Sequence, residues 1–173
     1  MTTIRPAMPE DLPAITAIYD HHVRTGLASF EEVPPDVKEM TRRYGDLVAQ
    51  GFPYVAAEQD GAVIGYAYAG PYRTRSAYRF TVEDTVYVKA GLGGRGIGRQ
   101  LLDVVIDRTT AMGLRQMIAV IGDSDNGGSI GVHRACGFRM TGTLEAVGFK
   151  FGRWVDGVIM QRALGPGATT APR

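Results

Sequence analysis

The sequence predicts a mixed α/β (α+β) fold in which helices flank a central sheet. Three observations carry that expectation. Strand-like segments lie near both ends of the chain, with amphipathic helical segments between them. Asp60-Gly61 separates two apolar runs, the strongest short-range hairpin signal in the chain. Residues 80–112 read as strand, glycine-rich turn and helix in succession. At 173 residues the chain is long enough for one domain with a substantial core. That domain is assigned to residues 1–164, with 165–173 as a tail.

Residues 2–5 form a short strand. Pro9-Glu10-Asp11 places proline and acids where a helix begins, and Leu12, Ile15, Ile18, Tyr19 and His22 recur at helical spacing, giving a helix over 10–24. The proline-rich link 28–35 cannot continue it. A second amphipathic helix over 36–50 carries Val37, Met40, Tyr44, Leu47 and Val48 on one stripe and ends at Gly51. The hairpin strands are 54–58 and 62–69, followed by a loop over 71–77. The strand at 80–89 leads through the glycines into a helix over 97–112, closed by Gly113. Residues 116–121 are a buried strand, 122–125 a turn, and a short helix starts after Asn126. Two last strands, 138–145 and 155–164, are expected to pair around a loop at 147–154. The small, polar tail at 165–173 is expected to be disordered.

Lysine and arginine total 19 against 18 acids, a formal charge of +1, so neither a nucleic-acid surface nor a basic partner is indicated. Cys136 is the single cysteine, which excludes an internal disulfide and fits a reducing compartment. No apolar run approaches the ~18 residues of a spanning helix, and the N-terminus lacks a signal peptide's apolar core. The expectation is a cytoplasmic protein with no membrane partner.

Most functional information lies in residues 80–112. A strand, a glycine-rich loop and a helix gather backbone N–H groups and the positive end of a helix dipole around one point, which is an anion site suited to pyrophosphate. Glycines let the backbone approach the anion with φ values other residues avoid, and Arg95 and Arg99 add positive charge. Gly91-Leu92-Gly93-Gly94-Arg95-Gly96 formally matches a dinucleotide fingerprint, but a lone match is weak, and no Walker A lysine follows.

The overlapping run Gly94-Arg95-Gly96-Ile97-Gly98, directly after Thr85-Val86-Tyr87-Val88, resembles the acetyl-CoA loop of the GNAT N-acetyltransferases. The block from Asn126 through His133 to Gly137-Phe138 is similar to that family's second signature, an Asn, a short helix and a closing Gly-Phe. Further stretches resemble the phosphinothricin and methionine sulfone/sulfoximine N-acetyltransferase branch: Phe30-Glu31-Glu32, Gly70-Pro71-Tyr72-Arg73-Thr74-Arg75, Tyr78-Arg79-Phe80-Thr81-Val82-Glu83, and Val147-Gly148-Phe149-Lys150-Phe151-Gly152-Arg153-Trp154. The resemblance covers nearly all of residues 3–163. It implies a mostly antiparallel sheet whose central parallel strands, 80–89 and 116–121, splay apart to admit the pantetheine arm. It also implies acetyl-CoA as co-substrate, a small-molecule amine as acceptor, and a homodimer with residues 147–154 at the shared surface. Gly93 departs from the family's Arg or Gln, and Gly127-Gly128 replaces its alanines, while the backbone cradle is retained.

The implied reaction is direct acyl transfer from a thioester to the α-amine of a small amino-acid analogue. Such an amine is largely protonated at neutral pH, so a base is needed. Glu83 is the candidate: acids are depleted in strand interiors, and the resemblance places the branch's catalytic glutamate here. The plain alternative is an edge-strand glutamate paired with Arg75 or Arg79. The resemblance assigns thioester and pantetheine to the backbone of Val86, Tyr87 and Val88, and pyrophosphate to Gly93, Gly94, Arg95, Gly96, Ile97, Gly98 and Arg99. Asn126 is a CoA contact or simply a helix cap. His133 stands where many GNATs carry a tyrosine that protonates the departing thiolate, and a structural histidine fits the position equally well. On the acceptor side stand Phe30, Arg73, Thr74, Arg75, Glu83, Asp84 and Thr85, with the arginines suited to a carboxylate. Rival readings are another amine acceptor, such as an aminoglycoside, polyamine or protein N-terminus, and a non-catalytic acyl-CoA-binding module.

Overall fold

In the computed structural model, which describes residues 1–172, seven strands form one sheet in the order β1-β2-β3-β4-β5-β7-β6. They are β1 (Thr3–Pro6), β2 (Tyr54–Gln59), β3 (Ala62–Pro71), β4 (Thr81–Val88), β5 (Gln116–Gly122), β6 (Arg139–Lys150) and β7 (Arg153–Ala163). Every neighbouring pair is antiparallel except β4–β5. The helices are α1 (Leu12–Thr25), α2 (Val37–Ala49), α3 (Ile97–Ala111) and α4 (Gly127–Ala135). The mixed, mostly antiparallel sheet flanked by helices is the fold the sequence predicts.

The sheet divides two cores. Tyr54, Ala56 and Tyr66 pack under α1 and α2 with Leu12, Ile15, Val23 and Met40. Val55, Ala57 and Ala67 face α3, against Leu101, Leu102 and Val105. Alternate residues of one strand thus feed opposite layers, as the two-residue period of a strand requires. β2 is buried on both faces, so it reads as a continuous apolar run.

The helix starts follow local chemistry. Asp36 accepts a hydrogen bond from the Glu39 amide at 2.8 Å and caps α2. Asn126 does the same for α4 through the Ser129 amide at 3.1 Å. α3 differs: its first residue follows Gly96, which has φ 77° and offers no side-chain cap. Its first-turn amides are left for another acceptor.

One expectation is corrected. The loop expected at 147–154 is strand: β6 and β7 stay paired to Lys150 and Arg153, beyond a register shift between Leu144 and Gly148. Only Phe151 and Gly152 turn, both with positive φ (52° and 73°), as a two-residue hairpin requires. The closely spaced Gly148 and Gly152 mimic a loop in the sequence, while Val147, Phe149 and Trp154 supply strand-forming side chains. Of the tail assigned to 165–173, Arg173 lies outside the described residues, and residues 165–172 fold in turns. These turns carry bonds from the Gly167 amide to Leu164 O and from the Thr169 amide to Pro166 O. The Arg115 guanidinium donates to Gly167 O, Thr170 Oγ1 and Ala171 O. A remote arginine holds what composition alone leaves unheld.

Candidate active site

β4 and β5 pair in parallel only from Thr81 to Glu83 and from Gln116 to Ile118. Beyond that register both strands continue, β4 to Val88 and β5 to Gly122, without pairing to each other. The central sheet therefore forks, and Glu83 stands at the last paired position. On its other edge β4 remains zipped to β3 as far as Gly65 opposite Val88. The Lys89 amide bonds to Ile64 O, so residues in alternation with Lys89, including Tyr87, turn their backbone groups toward β3. Val86 and Val88 turn theirs into the fork. Of the three backbone positions expected to meet the thioester, two are free to do so and Tyr87 is not. The Val88 carbonyl is met by His22 Nε2 at 2.8 Å, from α1.

A cleft of about 830 Å³ runs through the fork. It is lined by Glu83 to Val88 along β4, by Gly93, Gly94 and Gly96 to Arg99 at the start of α3, and by Asn126 and His133 around α4. Gly94 and Gly96 adopt φ of 75° and 77°, so the loop uses the left-handed backbone for which glycine was expected. A Cβ on Gly93 or Gly94 would meet nothing within 4 Å, so the cradle presents backbone and open space. Uncapped amides, left-handed glycines and a forked strand together fit a pyrophosphate with an extended arm. Arg95 does not line the cleft, and Arg99 lies at its edge, 3.6 Å from Asp103.

Glu83 is half-buried and, among the described residues, makes no ion pair with Arg75 or Arg79. β4 is also a central strand, which removes the edge-strand alternative. Burial first, and then the neighbouring Asp84 charge, raise the Glu83 carboxyl above its ordinary value, against an opposing pull from Arg73. That is the direction a general base working near neutral pH requires.

Asp84 points to the opposite layer from Glu83 and is buried there. Its Oδ2 lies 2.9 Å from His133 Nε2, and its Oδ1 has no hydrogen-bond partner among the described residues. His133 Nδ1 lies 2.7 Å from Ser129 O. A carbonyl only accepts, so Nδ1 carries a hydrogen. Burial disfavours charge on the ring, but the hydrogen bond and charge of Asp84 and the Ser129 carbonyl outweigh it, and the His133 pKa is raised. With both nitrogens engaged, His133 joins α4 to β4.

The remaining acceptor-side residues divide. Phe30 and Thr85 line the cleft. Arg73, Thr74 and Arg75 do not; they sit exposed in the loop after β3, with Arg73 stacked 5.0 Å from the Tyr72 ring. Burial pushes the Cys136 thiol up to about 12, so it is no nucleophile. His22, Ala28, Ser29 and Gly122 also line the cleft. Nothing local in the sequence marks them: His22 reads as one more position on an apolar helix stripe, and its bond to Val88 exists only because the sheet forks.

Residues 4–159 match the Acetyltransferase (GNAT) domain. The chain belongs to the GNAT acetyltransferase family. Within it, the chain is similar to the phosphinothricin N-acetyltransferase of Alcaligenes faecalis, 57% identical over 98% of this chain and 86% of that one. The L-methionine sulfoximine/L-methionine sulfone acetyltransferase of Pseudomonas aeruginosa is 42% identical over 95% of each chain. A phosphinothricin acetyltransferase from Sinorhizobium meliloti, solved in complex with AcCoA, superposes with a TM-score of 0.96. It is 48% identical and covers 99% of this chain and 93% of its own.

Proposed function

We propose that this protein transfers the acetyl group of acetyl-CoA directly to the α-amine of a small amino-acid analogue, of the phosphinothricin or methionine sulfone/sulfoximine type, with Glu83 as general base. The observation that carries the reading is the fork in the sheet with, at its apex, a half-buried glutamate that makes no ion pair among the described residues. Similarity along nearly the whole chain to acetyltransferases of that branch supports the acceptor class.

When bound, acetyl-CoA supplies an activated acyl group as a thioester. The glycine backbone at 93–98 and the first turn of α3 would hold its pyrophosphate, with Arg95 and Arg99 adding charge. Asn126 caps α4 and would turn the same helix end toward the pantetheine arm. The Val86 and Val88 amides, free in the fork, would donate to the thioester oxygen as negative charge builds there. Glu83 would take the proton from the acceptor ammonium, directly or through a water. From the exposed loop after β3, outside the cleft wall, Arg73 and Arg75 would reach toward the acceptor carboxylate; the charge of Arg73 already acts on Glu83. His133, ion-paired to Asp84 on the CoA side, would steady α4 beside the departing thiolate.

The β6–β7 hairpin supports assembly as a homodimer. Leu144, Val147, Phe149, Phe151 and Trp154 are exposed along it, Trp154 to 66%. A row of large apolar side chains on an edge hairpin marks an interaction surface.

The test is release of CoA thiol from acetyl-CoA in the presence of methionine sulfone, methionine sulfoximine and phosphinothricin, beside spermidine and kanamycin. Turnover confined to the amino-acid analogues is expected. Turnover only on the polyamine or aminoglycoside would reassign the acceptor, and acetyl-CoA binding with no turnover would favour a binding module.

A further inference from the structure

Ala28, Ser29 and Phe30 form one wall of the cleft. They belong to the link between α1 and α2, which has no regular structure of its own, yet they are held from several sides. The Tyr19 hydroxyl lies 2.7 Å from Ser29 Oγ, and the Glu31 amide donates to the same oxygen at 3.1 Å. Gly122, at the end of β5, passes so close that a Cβ there would collide with the Leu27 and Ala28 carbonyls. A Cβ on Gly148 of β6 would stand 2.7 Å from the Phe30 ring.

The remaining hold comes from an unexpected residue. Lys150, the last of β6, is 2% exposed, and its Nζ donates to the Ser29 carbonyl at 2.8 Å. Lysine is rarely buried without a partner for its charge. Here no carboxylate pairs with it among the described residues: the ammonium lies 5.0 Å from the Phe151 ring centroid, with Glu31 and Glu32 acting only at longer range. Phe151 itself takes φ 52°, a conformation uncommon for a bulky residue, at the tight turn that fixes where Lys150 points. A buried charge and a left-handed phenylalanine converge on one carbonyl, adjacent to the ring that faces the cleft.

We propose that Lys150 is a positioning residue for acceptor selectivity: its ammonium clamps the Ser29 carbonyl and so holds Phe30 against the acceptor side of the cleft, where the ring meets the apolar side chain of the amino-acid analogue. The proposal rests on the acetyltransferase reading above. Lys150 touches neither substrate. It works from the far side of the wall, through Ser29 and Phe30, and it lies away from the glycine cradle at the start of α3.

The experiment is steady-state kinetics of Lys150→Met with methionine sulfoximine, with acetyl-CoA affinity measured separately by calorimetry. The acceptor KM should rise roughly ten-fold, the factor to which about 1.4 kcal/mol corresponds. kcat and acetyl-CoA Kd should stay within about threefold, a split that general loosening of the fold would not give. In a Phe30→Ala background the same substitution should have little further effect, because the ring it positions is gone. An unchanged acceptor KM, an equal effect in the Phe30→Ala background, or a matching loss of acetyl-CoA affinity would each overturn the proposal. Should Lys150→Met fail to fold, Lys150→Arg keeps the charge but displaces the donor from the Ser29 carbonyl, and the same cycle with Phe30→Ala decides. Wild-type protein silent with every amino-acid analogue would sink the parent reading and this one with it. An active wild type with an indifferent Lys150→Met sinks this one alone.

Discussion

Glu83→Gln is the substitution that isolates the chemistry. The side chain keeps its size, and among the described residues the Glu83 carboxylate has no ion pair to be broken. General acid–base catalysis contributes roughly 10²–10⁴-fold, so kcat with methionine sulfoximine at pH 7 should fall by about that factor while acetyl-CoA affinity holds. The loss should also depend on pH. Glu83 has its folded carboxyl pKa raised by burial and by Asp84. Wild-type activity should therefore decline as pH falls through that raised value, whereas the variant should recover with rising pH as free amine accumulates without help. The gap narrows toward alkaline pH. Stability runs the same way: a carboxyl that is harder to ionise when folded opposes folding once pH exceeds its unfolded value, so the glutamine should unfold no earlier than wild type at pH 8. Retention of more than about a tenth of kcat at pH 7, or a gap that does not change with pH, would refute the assignment of Glu83 as base.

Other expectations are more local. Gly96→Ala forces a side chain into φ 77°, at a cost of about 1–2 kcal/mol, and should weaken acetyl-CoA binding more than it slows transfer, as calorimetry would show. His133 has its pKa raised, so its pairing with Asp84 stabilises the fold fully below the ordinary histidine value, and that contribution fades as pH climbs through the raised one. His133→Gln should flatten the fall in urea midpoint between pH 6 and 9; an unchanged pH slope would count against the ion pair. Phe149→Glu places a charge in the exposed apolar row of the hairpin and should lower the mass seen by sedimentation if that row is the homodimer interface; an unaltered mass would place the interface elsewhere.

The sequence revealed some of this far more readily than the rest. Periodicity locates the first two helices, because Leu12, Ile15 and Tyr19, or Val37, Met40 and Tyr44, repeat on one face, while the glycine-rich turn and Asn126 mark the starts of the other two. The glycines at 94 and 96 announced their left-handed backbone, since that conformation is a local property. The hairpin at 147–154 reads as a loop because Gly148 looks like a loop glycine, whereas its smallness serves the Phe30 ring from across the sheet. Arg115 holding the tail, His22 meeting Val88, and Lys150 reaching Ser29 all join residues far apart in the chain. Such bonds depend on tertiary placement, and no window of sequence contains both partners. The site chemistry divided likewise: the position of Glu83 in a strand was visible, but its lack of an arginine partner was not.

The fork has a consequence for the order of events. Alternate residues of β4 serve opposite sides of the sheet, with Glu83 turned from the layer that holds Asp84 and His133. The cleft accordingly takes its lining from the α1–α2 link on one side and from α3 and α4 on the other. Donor and acceptor need not share a doorway; they can occupy the two sides of a single partition and touch through the gap in it. No side chain has to carry the acyl group while one guest leaves and the next arrives, which suits a chain whose lone thiol is walled off. Varying both substrates should give intersecting double-reciprocal lines, the mark of both being aboard at once.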